Sequence, residues 1–384
     1  MDLRGWLGTV TSLSLAFASM TLGACGSKGS GGDGPIKIGH YASMTGAQAT
    51  FGISTDRAIR LAIKERNAKG GVKGRQVELV TIDDAGKQSE AATAVTRLIN
   101  DDNVVAVLGE VASGLSLAGG PIAQKAKIPM ISPSSTNPDV TDVGDYVFRV
   151  CFLDDFQGWV IAKFTNDTLK AKNVAILYDQ TQTYSAGLAD YFEKAFKAMG
   201  GAIAVKTAYS GGNLEISAQL QQLKGSNPDA IVLTGYYSEA GTIIRKAREA
   251  GITAVFIGGD GWDSEELPKI AGDAINGNYF ANHYAPEEPR PEVKNFVEKY
   301  KAEYKSTPDG LAALGYDAAL VLFDAIERAP SLKGPDLRDA IAATKNFTGV
   351  TGTFSIDADR NAKKSAVIVQ YKDGKQTMAA RIEK

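Results

Sequence analysis

From Ile36 onward, short apolar runs alternate with longer stretches whose apolar residues recur at helical spacing. Residues 36–41, 77–82, 104–108 and 128–131 read as strands, and residues 54–67, 90–100 and 113–127 as the helices between them. After Phe152 the rhythm starts again, with strands at 173–178, 203–209, 230–234 and 255–257 and helices at 184–199, 216–224 and 239–250. Two further helices, 291–305 and 312–328, precede a last strand, 366–372, that runs into an Asp373-Gly374 turn. Nearly wholly apolar strands separated by helices mean parallel sheets covered on both faces. The expected class is α/β, with two lobes of similar construction and no repeat between them at the level of residues.

The region before residue 35 follows other rules. An apolar stretch over residues 7–20 ends at Leu22-Gly23-Ala24-Cys25, and a run of glycine and serine follows. Such a stretch is too short for a bilayer span and reads as a secretion signal covering residues 1–24. Its end resembles the lipobox of bacterial lipoproteins, which implies that Cys25 becomes an acylated first residue. Residues 26–34 then form a flexible tether with a span of roughly 17 Å. The expected location is the periplasm or cell exterior, anchored to a membrane through Cys25.

Hydrophobic residues make up 44% of the chain and charged ones 22%, the balance of a soluble globular protein. The net charge of −2, with acids and bases interspersed, argues against a nucleic-acid partner. With Cys25 assigned to lipid, Cys151 stands alone, so no intrachain disulfide is expected. Its neighbours Val150 and Phe152 point to a buried, inert thiol.

Several chemistries find no residues to carry them. No phosphate-binding Gly-x4-Gly-Lys-Ser/Thr loop occurs, and His40 and His283 stand apart with no His/Cys cluster, so neither cofactor nor metal is expected. Gly114-Leu115-Ser116-Leu117-Ala118 comes near a nucleophile elbow, with Asp260 and His283 following in hydrolase order. The second glycine is missing, and Ser116 falls within a predicted helix.

Three polar loops follow predicted parallel strands, where open α/β sheets place ligands. The first, after Leu108, carries Glu110 and Ser113; Ser113 suits an anion site and equally a plain N-cap. The second runs from Ser132 to Asn137 and suits a turn as well as a site. In the third, Gly258-Gly259-Asp260-Gly261-Trp262, one acid among glycines can meet a ligand cation or form an Asx turn.

The chain resembles the branched-chain amino-acid (leucine/isoleucine/valine) binding proteins of ABC importers across nearly its whole length after Cys25. The residues carrying this are Met44-Thr45-Gly46 with Phe51-Gly52, the 67–74 turn, Asp83-Asp84, and Ile131-Ser132-Pro133-Ser134-Ser135-Thr136. Gln180 with Tyr184-Ser185-Ala186-Gly187-Leu188, Gly235-Tyr236 with Glu239, and the 244–251 segment extend the match. The resemblance implies a periplasmic binding protein type 1 fold: two Rossmann-like lobes joined by a three-stranded hinge. It places lobe 1 at 35–153 plus 284–364 and lobe 2 at 154–283 plus 365–384. Ser113 and Thr136 would hold a ligand α-carboxylate, while the Ser134 carbonyl and Asp260 would hold its α-ammonium. Phe51, Tyr184 and Tyr236 would wall the ligand side chain, with Leu311 near the rim. The disulfide of some relatives has no counterpart, since Gly86 and Ala112 occupy those positions.

The implied function is an amino-acid-binding lipoprotein, expected to be a monomer and not an enzyme, that delivers its ligand to a membrane permease. Charge-assisted contacts and burial of an aliphatic side chain together reach about −8 kcal/mol, which is micromolar affinity. Glu110 is positioned in sequence to admit a basic or polar ligand side chain, or to be an exposed loop acid; Trp262 could narrow the pocket or stack an aromatic ligand. A sensor protein of the same fold and, on the Ser116 motif, a serine hydrolase are the rival functions.

Overall fold

The computed structural model describes residues 34–383, so the 7–20 stretch, Cys25 and most of the tether lie outside the described residues. The first sheet contains β1 (Ile36–Ala42), β2 (Val77–Asp83), β3 (Ala106–Leu108), β4 (Met130–Ser132) and β5 (Val147–Arg149). They run parallel in the order β2-β1-β3-β4-β5, with Ile38 opposite Leu79 on one side and Ala106 on the other. Between them come α1 (Ala49–Ala68), α2 (Gln88–Asn100), α3 (Ser113–Ala126) and the single turn α4 (Asp139–Asp142).

The second sheet begins after α5 (Asp154–Asp167) with β6 (Asn173–Asp179), β7 (Ala202–Tyr209), β8 (Ala230–Thr234), β9 (Val255–Gly258) and β10 (Tyr279–Asn282). The helices α6 (Thr183–Ala198), α7 (Ser217–Ser226), α8 (Tyr237–Glu249) and α9 (Glu266–Ala271) lie between these strands in the chain. The chain then returns to the first sheet as α10 (Pro291–Tyr304), α11 (Gly310–Arg328), α12 (Gly334–Ala342) and the hairpin β11 (Phe347–Gly349)–β12 (Gly352–Phe354). Finally β13 (Ala366–Lys372) and β14 (Lys375–Ile382) extend the second sheet antiparallel beyond β10, giving the order β14-β13-β10-β9-β8-β6-β7. The backbone thus passes between the two sheets three times: after Arg149, after Asn282 and after Phe354.

The buried faces explain why these segments fold as they do. Ile38, Ala106, Leu108 and Ile131 of the first sheet are fully buried, as are Val174 to Leu177 and Ala230 to Leu233 of the second. α11 is apolar almost all round and packs on α1 through small residues. A Cβ on Gly315 would come within 2.8 Å of Thr55. That spacing lets the two backbones approach closely, so dispersion contacts accumulate along the seam.

The pattern predicts most element centres, and the structure moves several boundaries. α1 starts five residues earlier than residue 54, which puts Phe51 on a helix. α5 and β10 are absent from the periodicity: α5 is amphipathic only weakly, and β10 has four residues. The segment 366–372 is not the last strand, because Asp373-Gly374 turns the chain into β14, whose polar residues face outward at a sheet edge. No helix among the described residues is long and apolar enough to cross a membrane.

Candidate ligand-binding site

Each sheet has a point where consecutive connections leave in opposite directions, between β1 and β3 in the first sheet and between β6 and β8 in the second. A crevice opens at such points beyond the carboxyl ends of the strands. The loops and helix starts that follow β1, β3 and β4 deliver Phe51, Ser113 and Ser134, and those after β6, β8 and β9 deliver Tyr184, Tyr236 and Asp260. These six, with Leu311 from the start of α11, line one pocket together with Val111 and Gly261. The two walls are in direct contact: Ser134 Oγ lies 3.5 Å from Asp260 Oδ2, and Thr50 Oγ1 is 3.0 Å from Ser264 Oγ. The free volume between them is about 10 Å³, on the order of what one water needs.

Asp260 anchors the wall of the second sheet. Its Oδ1 accepts from Tyr184 Oη at 2.8 Å and from Gln157 Nε2 at 2.9 Å, and its Oδ2 meets His283 Nε2 at 2.9 Å. His283 is fully buried, stacked on Phe152 at 3.7 Å between ring centroids, and burial holds its pKa below the usual histidine range despite the adjacent acid. A neutral imidazole therefore donates from Nε2 and leaves the negative charge on Asp260. The loop can pass this closely because Gly259 has no side chain: a Cβ there would sit 2.2 Å from Gln157 Oε1 and 2.4 Å from Tyr184 Oη. Tyr184 stacks on Tyr236 at 5.3 Å, and Phe51 meets Tyr236 edge-on at 5.6 Å, so the aromatic wall spans both lobes. The hydroxyl of Tyr236 is buried without a hydrogen-bond partner.

The wall of the first sheet offers hydroxyls. Ser113 is the first residue of α3 rather than its cap, and its Oγ accepts from the Asn137 N–H at 3.2 Å, tying the two loops together. Behind them Arg149 is fully buried. Its guanidinium donates to the carbonyls of Ser135 (2.6 Å), Asn137 (2.8 Å) and Pro138 (3.0 Å) and to Thr141 Oγ1 (3.0 Å). That one side chain sets the path of the Ser134–Asn137 loop.

Thr136 is not among the residues lining the pocket. It is buried behind it, with its carbonyl accepting from the Asp154 N–H at 2.9 Å and its hydroxyl beside the Asp154 carboxyl. Glu110 is neither an exposed loop acid nor part of the lining. It is buried, and its carboxyl accepts from the N–H groups of Ala112 (2.5 Å) and Ser43 (3.0 Å) and from Ser43 Oγ (3.3 Å). Burial, reinforced by Asp84 nearby, pushes its pKa up to about 8. Trp262 is fully buried with its ring packed where a Cβ on Gly258 would be, so it faces the protein and not the pocket. Cys151 is buried, and its thiol is pushed up to about 12. Ser116 bonds to the Glu110 carbonyl and to Ser135, while His283 pairs with Asp260, so no serine–histidine couple forms.

Gln157, Arg149 and Asp154 are features of this site that periodicity and motifs do not mark, and His283, which by sequence stands only as a lone histidine and in a hydrolase order, serves here as a partner of Asp260. Asp154 and Gln157 sit in the first turns of a helix that was itself unpredicted, and Arg149 occupies a three-residue strand. Asp154 is fully buried with both carboxyl oxygens lacking hydrogen-bond partners, and burial pushes its pKa well above the carboxylate range.

Residues 35–376 match the periplasmic binding protein family, and the chain belongs to it. Similar curated proteins include Leu/Ile/Val-binding protein homolog 2 of Brucella abortus, 34% identical over 84% of this chain and 86% of that protein. Another is the leucine-, isoleucine-, valine-, threonine- and alanine-binding protein of Pseudomonas aeruginosa, 31% identical over 91% of this chain and 93% of that protein. Among solved structures, a leucine-binding protein of Thermotoga maritima superposes with a TM-score of 0.87 at 42% identity, covering 91% of this chain and 99% of that one. A branched-chain amino acid transporter substrate-binding protein of Streptococcus pneumoniae, solved with isoleucine, gives 0.85 at 36% identity, covering 90% and 98%. The resemblance read from the sequence is thereby borne out, and these relatives are solute-binding proteins rather than enzymes.

Proposed function

We propose that this chain is the extracytoplasmic solute-binding component of an ABC importer and captures an amino acid, branched-chain or otherwise apolar, between its lobes. The observation that carries this is the single pocket at which one acid from the second lobe faces serine hydroxyls from the first, with an aromatic and aliphatic wall alongside. A zwitterion needs a charge-assisted partner at each end once water is excluded, and an apolar side chain needs the wall. Ser113 and the N–H groups at the start of α3 suit the carboxylate. The Ser134 carbonyl and Asp260 suit the ammonium, and Thr136 supports the same loop from behind. Because about 10 Å³ separates the walls here, a ligand enters only as the lobes part, and closure then holds it from both sides. Ligand gripped by both lobes shifts the population toward the closed form by its difference in affinity for the two states. That closed form would dock on a membrane permease, with the chain a monomer held at the membrane by lipid on Cys25.

The test is isothermal titration of the purified mature chain with each common amino acid, backed by thermal shift. Saturable micromolar binding of leucine, isoleucine or valine is expected, with a melting temperature that rises with ligand concentration. Binding of none of the common amino acids rejects the ligand class. Labelling of intact cells with a palmitate analogue, lost in Cys25→Ala, tests the anchor.

A further inference from the structure

The tyrosines around the cleft differ in how their hydroxyls are served. Tyr184 Oη donates to Asp260 at 2.8 Å and accepts from the Gly261 N–H at 3.1 Å. Tyr237 Oη accepts from the Thr50 N–H at 3.5 Å, and Tyr209 Oη donates to the Thr234 carbonyl at 3.4 Å. Tyr236 lines the pocket and is almost wholly buried, yet among the described residues its hydroxyl has no hydrogen-bond partner.

The ring has little room to turn and find one. It stacks on Tyr184 with planes 15° from parallel, and Phe51 meets it edge-on. Beside Gly261 even a Cβ would come within 3.1 Å of Tyr236 Cδ1. The acid that acts most strongly on the phenol is Glu110, in the loop after β3, so a side chain rooted in the second lobe reaches toward the first. The Glu110 carboxyl is already taken up by the N–H groups of Ala112 and Ser43. A buried hydroxyl left unpaired is destabilising, and the gap that Tyr236 borders is the one a ligand fills.

We propose that Tyr236 is a specificity-determining residue whose hydroxyl pairs with a hydroxyl on the ligand's side chain, so that the cleft takes short hydroxyl-bearing amino acids as well as aliphatic ones. This rests on the reading of the cleft as an amino-acid site and adds a polar contact at the side-chain end. Phe51, Val111 and Leu311 supply apolar lining for the rest of such a side chain. A purely apolar pocket disfavours a hydroxyl in place of a methyl by about 100-fold, because the hydroxyl gives up water and gains nothing. An unpaired phenol restores that bond, and it can donate or accept as the ligand requires.

The test is calorimetric titration of the full mature chain, wild type and Tyr236→Phe, with L-threonine and L-valine, which share a shape and differ by one hydroxyl. The wild type is expected to bind threonine at least as tightly as valine. In Tyr236→Phe the ratio of the threonine Kd to the valine Kd should rise about tenfold or more. Without ligand the variant should melt no lower than the wild type, since the lost hydroxyl bonds to nothing. Weaker binding of threonine than of valine to the wild type overturns the proposal, and that comparison needs no variant to fold. A ratio left unchanged by Tyr236→Phe also overturns it, as when water alone serves the hydroxyl. Either result with valine or leucine still bound leaves the amino-acid reading standing, whereas binding of no amino acid rejects both.

Discussion

The two walls of the cleft solve one problem in opposite ways. On the second lobe the charge itself, Asp260, faces the gap and is steadied from behind by donors that are neutral: Tyr184, Gln157 and an uncharged His283. On the first lobe neutral hydroxyls face the gap, and the charge, Arg149, is buried behind them on backbone carbonyls. A charge in front acts on the ligand; a charge behind acts on the fold. The two lobes should therefore fail differently when that charge is removed.

The largest effect is expected from the hidden charge. Arg149→Met removes the guanidinium from the carbonyls of Ser135, Asn137 and Pro138 and leaves them only longer bonds, from Cys151 Sγ, the Val140 N–H and Thr141 respectively, at about 3 kcal/mol of stability or more, measurable by urea unfolding. A variant as stable as the wild type would mean the loop holds its own shape. Asp260→Asn should leave stability nearly unchanged and weaken amino-acid binding by about 2 kcal/mol, roughly 30-fold, read by calorimetry. A comparable loss of stability in Asp260→Asn would erase the contrast between the walls.

Smaller effects sharpen the same comparison. Ser113→Ala removes one neutral contact to the ligand and one bond to the Asn137 N–H, so binding should weaken by about 1 kcal/mol, roughly fivefold. Glu110 provides a pH test confined to the first lobe. Its carboxyl holds a proton more tightly folded than unfolded, with a pKa of about 8 against an ordinary 4.5. The stability it contributes is therefore complete below 4.5 and is lost as the pH rises through 8. Melting temperature should fall from pH 6 to pH 9, and Glu110→Gln should flatten that fall. An identical pH profile in the variant would show that Glu110 keeps its charge throughout.

Much of this arrangement was legible in the residues. The strand–helix rhythm marked both sheets, and the loops after Leu108, Ile131 and Ile257 held Ser113, Ser134 and Asp260, because open α/β sheets put ligands beyond strand ends. Local patterning did not reveal what stands behind those loops. Glu110 looked like a rim acid and is buried under Ser43; Trp262 looked like a pocket wall and fills the space over Gly258. Both depend on which way a side chain turns once distant segments pack, and no local period encodes that.

By itself the sequence determined the α/β class, the chain order of the elements and the loops that carry polar groups, since apolar spacing and turn residues act over a few positions. Tertiary structure alone decided that Gln157, Tyr184 and His283, separated by up to 126 residues along the chain, converge on one carboxylate. It also decided that Arg149 braces a loop of hydroxyls from behind. Their meeting is set by how the crossings bring two sheets face to face, and burial then fixes which charges act on a ligand and which only on the fold.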